Sequence, residues 1–143
     1  MKRYVLDTNV LSNVTKAVPS LPVIRWLDGQ AESTLFVATF SLAEIERGIL
    51  ERSAGKKRDE LEAWFHGTDG PKSMFAGRIL PFNELAAAEW ARLMAEGTAT
   101  GRPRSATDMI IAATAAANDC TIVTLNDRDF RGAVPVINPQ SGV

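Results

Sequence analysis

The segment Arg3-Tyr4-Val5-Leu6-Asp7-Thr8-Asn9-Val10-Leu11 decides the fold. Residues 3–6 form a short β-prone run in which Tyr4, Val5 and Leu6 follow one another with no polar residue between them. That is the mark of a short strand covered on both faces, since a strand with one wet face alternates. The run stops abruptly at Asp7, and residues 10–14 then read as one or two helical turns. A buried strand that ends on a carboxylate and turns straight into a helix opens an alternating β/α chain.

The rest of the chain continues that alternation. Ser20 caps a helix with Pro22 in its first turn and Val23, Ile24, Trp26 and Leu27 along it, closed by Gly29. Residues 34–38 form a second continuous apolar strand. Ser41 is predicted to open a helix striped by Leu42, Ile45, Ile49 and Leu50 and closed by Gly55. Residues 56–65 are charged on one side and apolar on the other, and residues 67–71 form a loop. Residues 78–82 give a third, shorter strand, demoted by Pro81. Asn83 caps a helix over 84–96 with Leu85, Ala88, Trp90 and Leu93 as its apolar face, and residues 97–105 form a polar loop. A helix rich in Ala and Ile over 107–118, a strand over 121–125 and a final edge strand over 134–137 complete the pattern. The expected architecture is a single domain over 1–143: an α/β protein, a three-layer α/β/α sandwich with a central, mainly parallel sheet.

Composition narrows the chemistry. The 143 residues include one histidine, His66, and one cysteine, Cys120. An intrachain disulfide, a cysteine-rich zinc site and a His-pair metal site are all excluded. Seventeen acids against sixteen Lys and Arg give a net charge of −1, so bulk charge says nothing about a polyanionic partner. No apolar run approaches the roughly 20 residues that cross a bilayer. Asp7 within the N-terminal apolar run argues against a signal peptide, so the expected location is the cytoplasm, with no membrane association. What remains for chemistry is oxygen.

Ligands of an open parallel sheet bind beyond the carboxyl ends of its strands. The predicted topology brings Asp7, Glu44, Asp108, Asn126 and Asp127 to that edge from distant parts of the chain. Some of these residues also fit structural roles. Ser41-x-x-Glu44 and Ser105-x-x-Asp108 have the form of capping boxes, and Asn126-Asp127 has the form of a turn. Asp7 differs, because a carboxylate that ends an apolar run must be paired or desolvated. Several carboxylates held close repel one another unless a cation lies between them, and an all-oxygen set suits Mg²⁺ or Mn²⁺. Metal-assisted phosphodiester hydrolysis is the chemistry that best fits these atoms.

Four stretches then carry a resemblance: Val5-Leu6-Asp7-Thr8-Asn9-Val10-Leu11, Ser41-Leu42-Ala43-Glu44-Ile45-Glu46-Arg47-Gly48, Thr107-Asp108-Met109-Ile110-Ile111-Ala112-Ala113 and Val123-Thr124-Leu125-Asn126-Asp127-Arg128-Asp129-Phe130. In this order and spacing the chain resembles the PIN-domain ribonucleases, and more narrowly the toxins of bacterial VapBC-type toxin–antitoxin pairs. The resemblance implies a Mg²⁺-dependent endoribonuclease, with Mn²⁺ as a substitute ion. It implies Asp7 and Asp108 as principal metal ligands, and Glu44 as a third acid that binds metal or orients the attacking water. Asn126 falls where the family carries Asp or Asn, and Asp127 stands beside it as an alternative acid. Thr8 and Thr124 match positions with a hydroxyl near the acids, and Asn9 ties the strand end to the site. Implied partners are an RNA substrate, a cognate antitoxin and a second copy in a homodimer, within a larger toxin–antitoxin complex. The antitoxin would lie in an apolar groove for which Val14, Leu42, Ile45 and Trp64 are candidates.

Other conspicuous residues weigh less. The acid-free loop over 97–105 carries Arg102 and Arg104 just before Asp108, where a phosphate backbone would need positive charge. Lys56-Lys57-Arg58 reads as a solvated face, His66 as a favourable charge at a helix C-terminus and Cys120 as a small core residue. The alanine-rich helix before Cys120 is apolar nearly all round, which fits either burial or a dimer face. Two other functional classes compete. An aspartyl-phosphate domain would want a second Asp two positions after Asp7, where Asn9 stands, or a late lysine, and none follows Lys72. A catalytically degenerate RNA- or protein-binding domain is favoured only by Asn126.

Overall fold

β1 (Tyr4–Leu6) is the central strand of a parallel sheet in the order β3-β2-β1-β4-β5. The structure is a computed structural model in which residues 2–14 and 18–141 are described. Tyr4, Val5 and Leu6 pair in register with Leu35, Phe36 and Val37 of β2 (Leu35–Ala38) on one side. On the other side they pair with Thr121, Ile122 and Val123 of β4 (Thr121–Val123). β3 (Ile79–Leu80) and β5 (Val136–Ile137) form the two edges. All four pairings are parallel, as the continuous apolar strands predict.

Helices cover both faces. The side chains of β1 alternate, so Val5 belongs to one core and Leu6 to the other. The Val5 core is closed by α6 (Glu84–Ala99) and α7 (Ala106–Ala117), with Leu93, Met109, Ile111, Ile122 and Phe130 at its centre. The Leu6 core lies under α1 (Thr8–Asn13), α2 (Leu21–Asp28), α3 (Thr39–Leu50) and α4 (Lys56–His66). Burial within the chain therefore accounts for the apolar character of α7, whose Ala112, Ala113 and Ala115 have no exposed surface. Among the described residues no helix is long and apolar enough to cross a membrane.

Several predicted boundaries shift. α3 starts at Thr39, directly after β2, because Ala38 serves both as last strand residue and as N-cap. Ser41 therefore lies inside the first turn, fully buried, and the expected capping box does not form. α6 runs on to Ala99, three residues past the expected end. Its buried side is Ala86, Leu93 and Gly97, while Leu85 is 67% exposed and Ala88 faces solvent. A one-turn helix, α5 (Pro71–Met74), occupies part of the expected loop and is started by Pro71.

Candidate active site

The sheet reverses its direction of growth at β1, since β2 and β3 lie on one side and β4 and β5 on the other. Ligands of such a sheet bind at the switch point, outside the carboxyl ends of β1 and β4. Asp7 and Thr124 are the residues that follow these two strands. The Thr124 hydroxyl donates to Asp7 Oδ2 at 2.8 Å, and the Thr8 backbone N–H donates to Asp7 Oδ1 at 2.8 Å. Asp7 is only 6% exposed. Burial pushes its carboxyl up to about 6, against the lowering effect of the bonds from Thr124 and Thr8, and the charges of Asp108 and Glu44 push it the same way.

Glu44 reaches the same crevice from α3. Freed from the expected capping role, its Oε1 accepts from the Thr8 hydroxyl at 2.6 Å. Thr8 thus joins two acids, one through its backbone and one through its side chain. Asp108 enters from the first turn of α7. Half of its predicted capping box is present: Ser105 is the N-cap, and its hydroxyl accepts from the Asp108 N–H at 3.2 Å. Burial raises the Asp108 carboxyl, the charges of Asp129 and Glu44 raise it further, and the bond to Ser105 opposes them.

The segment after β4 is held by amides and hydroxyls. Asn9 donates through Nδ2 to Thr124 Oγ1 at 3.3 Å and accepts the Leu125 N–H at 3.2 Å, so it ties α1 to the end of β4. The Asn126 N–H donates to Thr124 Oγ1 at 3.0 Å, and its exposed side chain has no hydrogen bond among the described residues. The expected alternative acid, Asp127, is engaged elsewhere. It accepts from Asn138 Nδ2 at 3.0 Å and pairs with Arg131, and these bonds hold its carboxyl below the usual range.

The acid that sequence reasoning passed over is Asp129, whose charge bears on Asp108. Residues 127–129 form a 3₁₀ turn with Asn126 as N-cap, and the Asp129 N–H donates to Asn126 O at 3.1 Å. Residues three apart eclipse in such a turn, so the Asn126–Asp129 spacing could have found it.

Among the described residues no group of three or more His, Cys, Asp or Glu side chains closes tightly enough to hold a metal ion. The donor set is nevertheless that of a hard cation: carboxylates, hydroxyls and an amide. Burial raises Asp7 and Asp108 and neighbouring acids add to it, so a positive charge among them would relieve that repulsion. A cation that keeps several waters, as Mg²⁺ does, needs only one or two carboxylates in direct contact.

One hollow adjoins these residues and another lies away from them. An open cleft of about 810 Å³ runs past Asp108 and Asp129 and is walled by Arg102, Arg104, Arg128 and Arg131. The two predicted RNA contacts part company here. Arg104 is 15% exposed, pairs with Glu96 at 3.0 Å and donates to Leu93 O and Gly132 O, whereas the Arg102 side chain is exposed. On the Leu6 side an apolar groove of about 480 Å³ is lined by Leu11, Val14, Ile24, Leu27, Met74 and Phe75. It adjoins a smaller hollow with Trp64, Leu61 and Pro71. Of the four candidate groove residues, Val14 and Trp64 line these hollows. Leu42 is buried in the core, and Ile45 faces a separate depression beside Glu44.

The PIN domain family profile matches residues 4–133. The VapC ribonuclease Y4jK of Sinorhizobium fredii is 37% identical over 136 residues, covering 94% of this chain and 96% of that protein. The toxin FitB of Neisseria gonorrhoeae is 35% identical over 135 residues, with the same coverage. The crystal structure of FitAcB from Neisseria gonorrhoeae superimposes with a TM-score of 0.88 at 33% identity, covering 96% of this chain and 98% of that one.

Proposed function

The chain belongs to the PIN domain family, and from that premise we propose that it is a Mg²⁺-dependent endoribonuclease, with Mn²⁺ able to substitute, acting as the toxin of a toxin–antitoxin pair. Relatives named as a VapC ribonuclease and as the toxin FitB, similar over nearly their whole length, support the toxin and nuclease reading. The observation that carries the chemistry is Asp7, a buried carboxylate whose pKa is raised to about 6 by desolvation and by the charges of Asp108 and Glu44. Such a group, at the switch point of a parallel sheet, supports a site for cation and phosphate.

On this reading Asp7 and Asp108 would hold the ion, which when bound would supply charge neutralisation for the phosphoryl oxygens and acidify water. Thr124 and Thr8 fix both oxygens of Asp7, so the acid is oriented before substrate arrives. Glu44 orients the attacking water, and the free amide of Asn126 hydrogen-bonds solvent beside it. Attack of water on phosphorus forms a new P–O bond and breaks the bond to the 3′ oxygen. The attacking water gives up a proton and the 3′ oxygen takes one up, leaving a 5′-phosphate and a 3′-hydroxyl. The substrate would be met in the cytoplasm. An aspartyl-phosphate role suits Asp7 poorly, because both its oxygens are hydrogen-bonded and it is almost fully buried.

The partner proposed for the apolar groove is the cognate antitoxin, supplying an amphipathic segment whose apolar side chains seat against Leu11, Val14, Met74 and Trp64. A homodimer within a larger toxin–antitoxin complex is proposed for the assembled state, with the exposed Phe82 and Leu85 as part of its apolar surface. The test is cleavage of total RNA by purified chain freed of any partner. Mg²⁺ or Mn²⁺ should support cleavage, and a chelator or Asp7→Asn should abolish it. Full activity in Asp7→Asn overturns the assignment.

A further inference from the structure

The 810 Å³ cleft beside Asp108 is walled by four arginines that are not equivalent. Two are engaged by groups of the chain itself, Arg104 largely buried and Arg131 at the surface. Arg104 commits its guanidinium to Glu96 at 3.0 Å, to Leu93 O at 2.8 Å and to Gly132 O at 3.4 Å. Arg131 pairs with Asp127, itself held by Asn138. Among the described residues the side chains of Arg102 and Arg128 are exposed and make neither an ion pair nor a hydrogen bond.

Both free arginines stand on braced backbone. Arg102 N–H donates to Gly97 O at 2.9 Å, and Arg104 lies across Gly97 so closely that a Cβ there would stand 3.0 Å from its Cγ. Arg128 sits in the 3₁₀ turn, held on one side by the bonds to Asp127 and on the other by Phe130, which is fully buried. One cation is thus presented from the segment that leads into Asp108 and the other from the segment that carries Asp129. A planar guanidinium on a fixed mount, unpaired and beside acids, is suited to the two non-bridging oxygens of a phosphodiester. Two of them along one open cleft fit successive phosphates of an extended strand.

We propose that Arg102 and Arg128 grip the backbone phosphates of single-stranded RNA on one flank of the acid crevice, while Arg104 and Arg131 act only as struts of the cleft. This rests on the ribonuclease reading for its ligand. It makes the two free arginines positioning residues that set substrate affinity without reading base sequence.

The experiment uses the full chain carrying Asp7→Asn, so that binding is measured without cleavage. Anisotropy of a labelled 12-nucleotide single-stranded RNA is titrated across a range of KCl concentrations. Adding Arg102→Ala and Arg128→Ala together should weaken binding about tenfold or more. The slope of log affinity against log salt should fall by roughly 1.4, about 0.7 for each phosphate no longer neutralised. Circular dichroism melting of the same variants should be unchanged, whereas Arg104→Ala should lower it. In the otherwise wild-type chain the double variant should raise KM with little change in kcat. Unaltered affinity and salt slope in the double variant overturn the proposal, and so does an Asp7→Asn chain that binds no RNA at all. A wild-type chain that fails to cleave, while RNA binding still depends on Arg102 and Arg128, defeats the nuclease reading and leaves this assignment standing.

Discussion

The two faces of the sheet are made from similar residues and end in opposite conditions. Under α6 and α7, Ala112, Ala113 and Ala115 let the layers close until Leu93, Met109, Ile122 and Phe130 have no exposed surface. Under α1, α2, α4 and α5 the larger Leu11, Val14, Met74 and Trp64 leave a groove open to solvent. The closed face carries the helix that delivers Asp108; on the other face α3 delivers Glu44, while α2, α4 and α5, which border the groove, deliver no acid to the crevice. Close packing serves where charges must be held in fixed positions, because a well-filled core resists small displacements. Unfilled apolar surface serves where another chain is to supply the missing layer.

Substitutions can break or sharpen this contrast. The largest effect is expected from the closed face at its functional end. Asp108→Asn should reduce RNA cleavage about a thousandfold, roughly 4 kcal/mol in the barrier, while the urea midpoint holds or rises. Retained cleavage would mean that the closed face positions nothing. Next, Leu93→Ala should cost about 3 kcal/mol in urea unfolding, since Leu93 is fully buried and its neighbours cannot collapse around the void.

A third test uses pH in the presence of a chelator. Asp7 has a folded pKa of about 6 against an ordinary value of 3.8, so the folded state holds its proton longer than the unfolded chain. Stability from this group is fully present below about pH 4 and is lost as pH rises through 6, by about 2–3 kcal/mol. Asp7→Asn should remove that fall when urea midpoints at pH 4.5 and 7.5 are compared with those of the parent chain. A parent chain with no extra loss at pH 7.5 would show that the crevice does not strain its acid. The smallest effect belongs to the open face. Met74 is 51% exposed, and Met74→Ala should change stability by less than about 0.5 kcal/mol, yet weaken capture of the cognate antitoxin in a pull-down with full-length partner. A destabilisation as large as that of Leu93→Ala would mean that the two faces do not differ.

The sheet was legible because each strand announces itself locally. Tyr4-Val5-Leu6 and Thr121-Ile122-Val123 are apolar or β-branched without interruption, and each ends beside a polar residue that marks the carboxyl edge. Asp7, Glu44 and Asp108 were legible for the same reason, as acids placed just after a strand or at the start of a helix. What escaped was set by tertiary competition. Ser41 has the form of a cap, but α3 begins two residues earlier, and the glutamate that would have completed the box turns to Thr8. Asp127 and Asp129 are indistinguishable by composition. Only the bonds from Arg131 and Asn138 to the first, and the turn that carries the second, separate them. Arg102 and Arg104 look alike in sequence, and the carbonyls that claim Arg104 come from 11 and 28 residues away.

The central position of β1 has a consequence for the order in which the chain comes into being. Of the five strands, β1 comes earliest in the sequence and needs partners on both sides, and its second partner, β4, lies 117 residues further on. A nascent chain that stops short of residue 121 can pair β1 with β2 but leaves its other edge bare. It also lacks Thr124 to hold Asp7, and the anchor on which Asn9 closes. Parallel pairings across such a separation form late, because the loop must close before any contact rewards it. The acid site is therefore complete only once residue 124 has joined the sheet, and a chain cut short of it lacks the hydroxyl that holds Asp7.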